Sequence, residues 1–180
     1  MKVLIINGSH RKGNTDIITN KVKEELVINQ IETMELVLRD IEIKLPDGCE
    51  QCANGGVCPN VKDEFSENIE PAIRDYDIYI IATPTWSDNV TPLTKIFWDR
   101  IVSWCSEDKM YLKNKKLAVI THGMANDKSW DNVINWVKSI CVWEQCKFGS
   151  SLTAKSGGKV GDIELKEGKV KSFVLELIKQ

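Results

Sequence analysis

Blocks of apolar residues alternate with amphipathic stretches along this chain. Val3-Leu4-Ile5-Ile6 is a short apolar run closed by Asn7-Gly8, which predicts a strand buried on both faces. From Thr15 to about Val27, Ile18, Val22 and Leu26 recur on one face of a helix. Met34, Leu36 and Leu38 alternate with mostly polar neighbours and predict a strand with one wet face. Ile78-Tyr79-Ile80-Ile81-Ala82 and Leu117-Ala118-Val119-Ile120 are two further buried strands, the second closed by Gly123. Thr91-Pro92 opens a helix, with a capping hydroxyl and then Pro at the first helical position. Leu93, Ile96, Phe97, Ile101 and Trp104 follow at helical spacing, and Trp130, Val133, Ile134, Val137 and Ile140 give the next helical face. A weaker strand covers about 147–153, and Val170, Phe173, Val174, Leu177 and Ile178 make the last helix.

Strands alternating with helices imply a parallel sheet covered on both faces. Five strands and about five helices make a three-layer α/β sandwich, expected as a single domain over 1–180. The segment 45–63 breaks the pattern. It holds two Pro, three Gly and three Cys and reads as an irregular loop, after which helical pattern resumes weakly around Phe65 to Ile73.

Composition narrows the function. The 24 basic and 26 acidic residues nearly cancel, to a net charge of -2. That weighs against a nucleic-acid partner and against a polybasic membrane anchor. No run approaches the ~20 apolar residues of a membrane helix, and the first run is too short for a signal-peptide core. The expected location is the cytoplasm, where thiols stay reduced. The six cysteines then read as free thiols, metal ligands or redox groups rather than a disulfide frame. Cys49, Cys52 and Cys58 cluster, while Cys105, Cys141 and Cys146 lie apart.

In open α/β sheets, ligands bind beyond the carboxyl ends of the strands. After the first strand comes Gly8-Ser9-His10-Arg11-Lys12-Gly13-Asn14-Thr15. It offers glycines, hydroxyls, an amide and two cations, then opens a helix whose N-terminal N–H groups attract phosphate. The glycine spacing is neither that of a Walker loop nor GxGxxG, and a plain polar loop capped by Asn14 or Thr15 is the alternative. After the third strand, Thr83-Pro84-Thr85-Trp86-Ser87-Asp88-Asn89-Val90 pairs a flat aromatic with polar groups. It suits a planar hydrogen-bonding ring, or else Trp86 simply covers the end of the core. After the fourth strand, Thr121-His122-Gly123-Met124-Ala125-Asn126-Asp127 offers a glycine for close approach and a histidine that is either a proton donor or structural. In the sheet order 2-1-3-4-5 the first and third strands are neighbours at the switch point. One ligand with a phosphate end and a planar end then satisfies both loops, and FMN is such a ligand in flavodoxin-like folds.

These motifs resemble a known family. The 8–15 loop is similar to the phosphate loop of NADPH-dependent FMN reductases. Pro84-Thr85-Trp86 resembles their isoalloxazine loop, and Lys95-Ile96-Phe97-Trp98-Asp99-Arg100 the helix that follows. The cysteine loop points to the iron–sulfur flavoprotein-like branch. The resemblance implies a flavodoxin-like FMN protein that passes electrons from NAD(P)H to a small acceptor: a flavin, a quinone or a nitro compound. It implies that Ser9, Arg11, Asn14 and Thr15 hold the FMN phosphate, with Lys12 a further candidate. Pro84, Thr85, Trp86, Ser87 and Asn89 would line the isoalloxazine, flanked by His122 and Gly123. Lys95, Asp99 and Arg100 read as structural. Position 10, often Pro in the family, is His here. The resemblance, with six Trp in the chain, also implies a homodimer.

In this reading FMN supplies the hydride chemistry and no catalytic side chain is needed. The nicotinamide must stack on the flavin at about 3–3.5 Å, and N–H groups near Thr85 to Ser87 would stabilise developing charge. The rival readings are a non-enzymatic FMN carrier, an iron–sulfur flavoprotein-like electron-transfer protein, and a zinc module built on Cys49 and Cys52. In the iron–sulfur branch this region resembles Cys-x2-Cys-x2-Cys followed by a longer gap, and here Gly55 stands where the third cysteine would fall. A [4Fe–4S] cluster takes four thiolates, so the expectation is loop cysteines without a metal or cluster.

Overall fold

The computed structural model describes the chain except residues 50–61, 102–109, 111, 125–126, 167 and 180, and the side chain of Asp127. Its strands are β1 (Lys2–Asn7), β2 (Glu32–Val37), β3 (Ile78–Pro84), β4 (Lys116–Gly123), β5 (Lys147–Ser156) and β6 (Ile163–Glu164). They form one sheet of order β2-β1-β3-β4-β5-β6. All neighbours run parallel except β5 and β6. The helices are α1 (Asn14–Ile28), α2 (Glu70–Ala72), α3 (Pro92–Ile101), α4 (Asp127–Trp143) and α5 (Lys169–Ile178). A π-helical turn, Phe65–Ile69, leads into α2, which is why the helical pattern there is weak.

The two faces of the sheet carry separate apolar layers. Val3, Ile5, Ile80, Ala82, Ala118 and Ile120 pack with Ile18, Val22 and Leu26 of α1 and Phe173, Val174 and Leu177 of α5. Leu4, Ile6, Tyr79, Ile81, Leu117 and Val119 pack with Phe97, Trp98 and Ile101 of α3 and Val133, Val137 and Ile140 of α4. Successive strand residues point to opposite faces, so burial on both sides demands the unbroken apolar runs seen in the sequence. Trp98 and Trp136 meet edge to face in the second layer, ring centroids 6.0 Å apart. Among the described residues no helix is long and apolar enough to cross a membrane.

The structure differs from the sequence expectation in two places: Leu38 opens a 3-10 turn, Leu38–Asp40, instead of continuing β2, and a strand is added at the sheet edge. The sheet has six strands rather than five, because the chain after β5 doubles back. Gly157 N–H bonds to Asp162 O at 2.9 Å, and Lys155 and Ser156 pair with Glu164 and Ile163. A strand of two residues is too short to show a period.

The register sets the carboxyl ends of the strands level. Asn7 lies opposite Val37 and Ala82, Thr83 opposite Thr121, and Pro84 opposite His122. The loops after β1, β3 and β4 therefore emerge side by side.

On the α3 side a buried ion pair pins the base of the cysteine loop. The Arg100 guanidinium grips both oxygens of Asp63, at 2.6 and 3.1 Å, and its Nη1 also donates to Lys44 O at 2.9 Å. Lys44 N–H donates to Asp63 Oδ2 at 2.9 Å, and Lys44 Nζ to Lys62 O at 3.1 Å. Arg100 thus has the structural role expected of it, and Lys95 pairs with Asp99 on the exposed side of the same helix. Cys52, Cys58 and Gly55 lie outside the described residues; Cys49 is exposed and free.

Burial alone would raise the Asp63 carboxyl. The Arg100 guanidinium and the N–H groups of Lys44 and Ser66 outweigh it and hold the group well below its ordinary 3.8. A depressed carboxyl adds stability that is complete above the unfolded value and is lost as pH falls through the folded one. Arg100→Met is expected to cost about 3–5 kcal/mol, because it leaves the buried Asp63 charge without its counter-ion. Urea denaturation at pH 7 checks this, and a loss under 1 kcal/mol would contradict it.

Candidate functional site

The loop after β1 is shaped from below by Asn7, whose side chain is fully buried. Asn7 Oδ1 accepts the Ser9 N–H at 3.1 Å, and Asn7 Nδ2 donates to Glu35 Oε1 at 2.9 Å and to Asp16 Oδ1 at 3.4 Å. Glu35 Oε1 also accepts from Thr19 Oγ1 at 2.8 Å, and Glu35 Oε2 pairs with Lys23 at 2.5 Å. Asp16, the acid of the first turn of α1, is spent on Gly13 N–H at 2.7 Å and on Arg39 at 2.7 Å. None of Asn7, Asp16, Glu35 and Arg39 stands out in the sequence as a site residue. The one available signal was the polar Asn7 closing an apolar strand.

Gly8 lies against the start of α3. Its N–H bonds to Ala82 O at 2.8 Å, and its carbonyl accepts from Thr91 Oγ1 at 2.6 Å. A Cβ at this position would sit 1.8 Å from Thr94 Oγ1. Only glycine allows the loop to approach α3 this closely.

Ser9 is buried and donates its hydroxyl to Arg11 O at 2.8 Å. Arg11 and Lys12 are exposed, beside the free N–H groups that open any helix. Arg11 Nη2 donates to Gly158 O at 3.0 Å. Asn14 turns its amide to the segment between β5 and β6, bonding Lys159 O at 3.0 Å and receiving Gly161 N–H at 2.8 Å.

Thr15 and His122 meet beneath the loop. Thr15 Oγ1 lies 2.8 Å from His122 Nε2, and Ser156 Oγ lies 2.7 Å from His122 Nδ1. The imidazole is buried, and burial together with the Arg11 charge pushes its pKa down to about 4. At neutral pH it is therefore uncharged. One ring nitrogen donates and the other accepts, and the two hydroxyls can satisfy both.

The loop after β3 is tied to β4. Thr85 N–H donates to His122 O at 2.8 Å, and Thr85 Oγ1 donates there at 3.3 Å. Trp86 and Asn89 exchange N–H···O bonds of 2.8 and 2.9 Å around a tight turn. Ser87 and Asp88 take positive φ of 45° and 60°, as a primed turn demands. Ser129 Oγ bonds Asp88 and Asn89 Oδ1 accepts Val90 N–H, which hold that turn. Of the N–H groups expected to face a ligand, those of Thr85 and Trp86 are thus used inside the protein. Trp86 does not cover the core. It is 50% exposed and stacks on His10, with centroids 4.6 Å apart and planes 12° from parallel. Gly123 ends β4 and is half-buried, followed by exposed Met124.

The donor set suits a phosphate. Two exposed cations flank a helix N-terminus, and Arg39 neutralises the nearest acid, Asp16. A flat aromatic on the adjacent loop suits the planar end of the same ligand.

The NADPH-dependent FMN reductase family model matches residues 1–145. The chain belongs to that family. FMN is the cofactor of this family of oxidoreductases, and the residues of the site fit it. An iron-sulfur flavoprotein of Archaeoglobus fulgidus is 34% identical over 127 residues, 70% of this chain and 61% of that protein. Iron-sulfur flavoprotein CD630_04720 of Clostridioides difficile is 28% identical over 160 residues, 87% of this chain and 68% of that protein. The chain thus spans 61% and 68% of the length of these two relatives. Among solved structures, RosB with bound 8-demethyl-8-formylriboflavin-5'-phosphate superposes with a TM-score of 0.70 at 17% identity, over 98% of this chain and 76% of RosB. Two-electron reduced Megasphaera elsdenii flavodoxin gives 0.60 at 11% identity, over 97% of each chain. The FMN reductase family member described here has the flavodoxin-like fold.

The neutral His122 makes stability depend on pH. Its folded pKa of about 4 lies below the ordinary 6.5. The unfolded chain takes up the proton first, so stability is lost as pH falls from about 6.5 to about 4 and levels off below. The ceiling of this loss is roughly 3 kcal/mol. Urea denaturation between pH 4 and 7 is expected to show the slope in the unaltered protein and a flatter profile in His122→Gln.

Proposed function

We propose that this chain is an FMN-dependent NAD(P)H oxidoreductase, a single domain that holds one FMN without a covalent link and reduces a small acceptor such as a flavin, a quinone or a nitro compound. One observation carries the reading. The 8–15 loop and the 84–90 loop stand side by side on neighbouring strands β1 and β3, a cationic loop that opens a helix next to a half-exposed aromatic ring. The family match supports it, as does the flavin 5'-phosphate derivative held by RosB.

Ser9, Arg11, Lys12 and the first N–H groups of α1 would hold the phosphate. Thr15 and Asn14 support them from behind, through His122 and through the segment after β5. Pro84, Thr85, Trp86, Ser87, Asn89 and Gly123 would line the isoalloxazine. Bound FMN supplies hydride acceptance and electron delivery. The protein supplies position and charge. His122, uncharged between two hydroxyls, keeps its proton and sets the height of the loops. His10 lies flat on Trp86 and screens one ring face from water. We place the protein in the cytoplasm as a homodimer, with no nucleic-acid or membrane partner. Trp143 and Val142, 72% and 79% exposed at the end of α4, support an interface between copies.

Arg11→Ala is expected to weaken FMN about 10–100-fold while riboflavin changes little, because a charge-assisted bond to phosphate is lost. Equal losses in a fluorescence titration would remove Arg11 from the phosphate site. Steady-state kinetics are expected to give parallel initial-rate lines, since donor and acceptor share one flavin face. Light scattering at micromolar concentration is expected to give a dimer.

A second reading is favoured by the names of the relatives, which are iron-sulfur flavoproteins. With Gly55 at the position of the third cysteine, the loop offers three local thiolates where a cluster takes four. Iron and acid-labile sulfide, measured on protein purified without oxygen, are expected to be absent. About four of each per chain would instead make this an iron–sulfur electron-transfer protein.

A further inference from the structure

The segment between β5 and β6, residues 157–162, crosses the opening of α1. Asn14, the first residue of that helix, is 8% exposed and gives both ends of its amide to the segment. Its Nδ2 reaches Gly157 O at 3.4 Å, Lys159 O at 3.0 Å and Asp162 O at 3.4 Å, and its Oδ1 accepts Gly161 N–H at 2.8 Å. Arg11 adds the 3.0 Å bond to Gly158 O. Val160 Cγ2 stands 3.6 Å from where a Cβ on Gly13 would be. Arg11 and Asn14 of the 8–15 loop are therefore both held by one short segment, which leaves a Cβ on Gly13 only ordinary contact distance.

That segment is itself well braced. Gly157 N–H bonds Asp162 O at 2.9 Å, and Ile163 N–H bonds Gly161 O at 2.9 Å. Gly161 has φ of +89°, which a β-branched side chain does not tolerate. On the β5 side, Ser156 joins it to His122 and so to Thr15. The far wall of the phosphate loop is thus a strap fastened at both ends, and exposed Lys159 brings a further cation to it.

We propose that residues 157–162 are a selectivity strap, clasped by Asn14, that closes the phosphate end of the FMN site and admits a flavin ending in a monophosphate over one that continues into a second phosphate and a nucleoside. The proposal rests on the FMN reading above. A monophosphate held by the 8–15 loop would end against the strap. A dinucleotide has to continue past that point, and it enters only if the strap lifts and the buried Asn14 amide loses its partners. Asn14 is then a positioning residue for the strap, acting on the ligand through it.

The test compares FMN, FAD and riboflavin titrations of flavin-free protein for three chains: unaltered, Asn14→Ala and Gly161→Val. Trypsin cleavage after Lys159 reports release of the strap. The second variant changes only a residue of the strap and keeps every side chain of the 8–15 loop. The unaltered chain is expected to bind FMN about 100-fold more tightly than FAD. In both variants cleavage after Lys159 is expected to accelerate, and the FMN-over-FAD ratio to fall about tenfold or more through tighter FAD binding. A strap cut faster with the ratio unchanged overturns the proposal, as does cleavage unaltered in both variants. An unaltered chain that binds FMN and FAD alike overturns the strap and leaves the cofactor reading standing. Failure of the unaltered chain to bind any flavin brings down both.

Discussion

The site depends on a buried amide at the end of the first strand. Asn7 has no exposure, so its amide must find partners inside the protein. It finds them on three elements at once: the loop it precedes, the first turn of α1, and β2. An apolar residue here would fill the same space without fixing where the loop turns. The conformation of the 8–15 loop is thus settled by polar satisfaction beneath it. Hydrophobic packing holds the sheet below, and Thr91 and Gly8 add the lateral tie to α3.

Charge follows the same economy. Asp16 sits where an acid would repel a phosphate, but it is turned to Arg39 and the Gly13 N–H. Glu35 is turned to Lys23 and two neutral donors. His122 is kept uncharged, because a cation there would be both desolvated and beside Arg11. What remains exposed is Arg11 and Lys12, beside the N-terminus of α1, a positive rim over a neutralised floor. Such a floor lets an anion approach without competing carboxylates.

The cysteine loop is handled differently. Its base is fastened by the desolvated Arg100–Asp63 pair, with Lys44 as a third party. A pair of this kind adds little net stability over apolar packing, but it costs heavily when broken. Its effect is geometric: residues 44 and 63 are held together, whatever the intervening loop does. α3 carries Arg100 of the pair, and Thr91 at its head bonds Gly8 of the 8–15 loop, so one helix serves both features.

The chain by itself determined the layers. Unbroken apolar runs require strands buried on both faces, and the helical stripes between them require covering helices, because those patterns are local. The phosphate-like loop and the aromatic loop were legible for the same reason: each is a contiguous motif beside an element boundary. The tertiary structure decided where the side chains of those motifs turn. Asn14 faces a segment about 147 residues away, and Thr15 faces His122, 107 residues away. His10 lies on Trp86, which polar neighbours alone do not predict. The short β6 and the support of Asn7 by Glu35 likewise exist only once distant strands pair. A hydrogen bond between distant residues leaves no period in the sequence. Burial compels a polar side chain to find a partner, and only the assembled fold says which one is within reach.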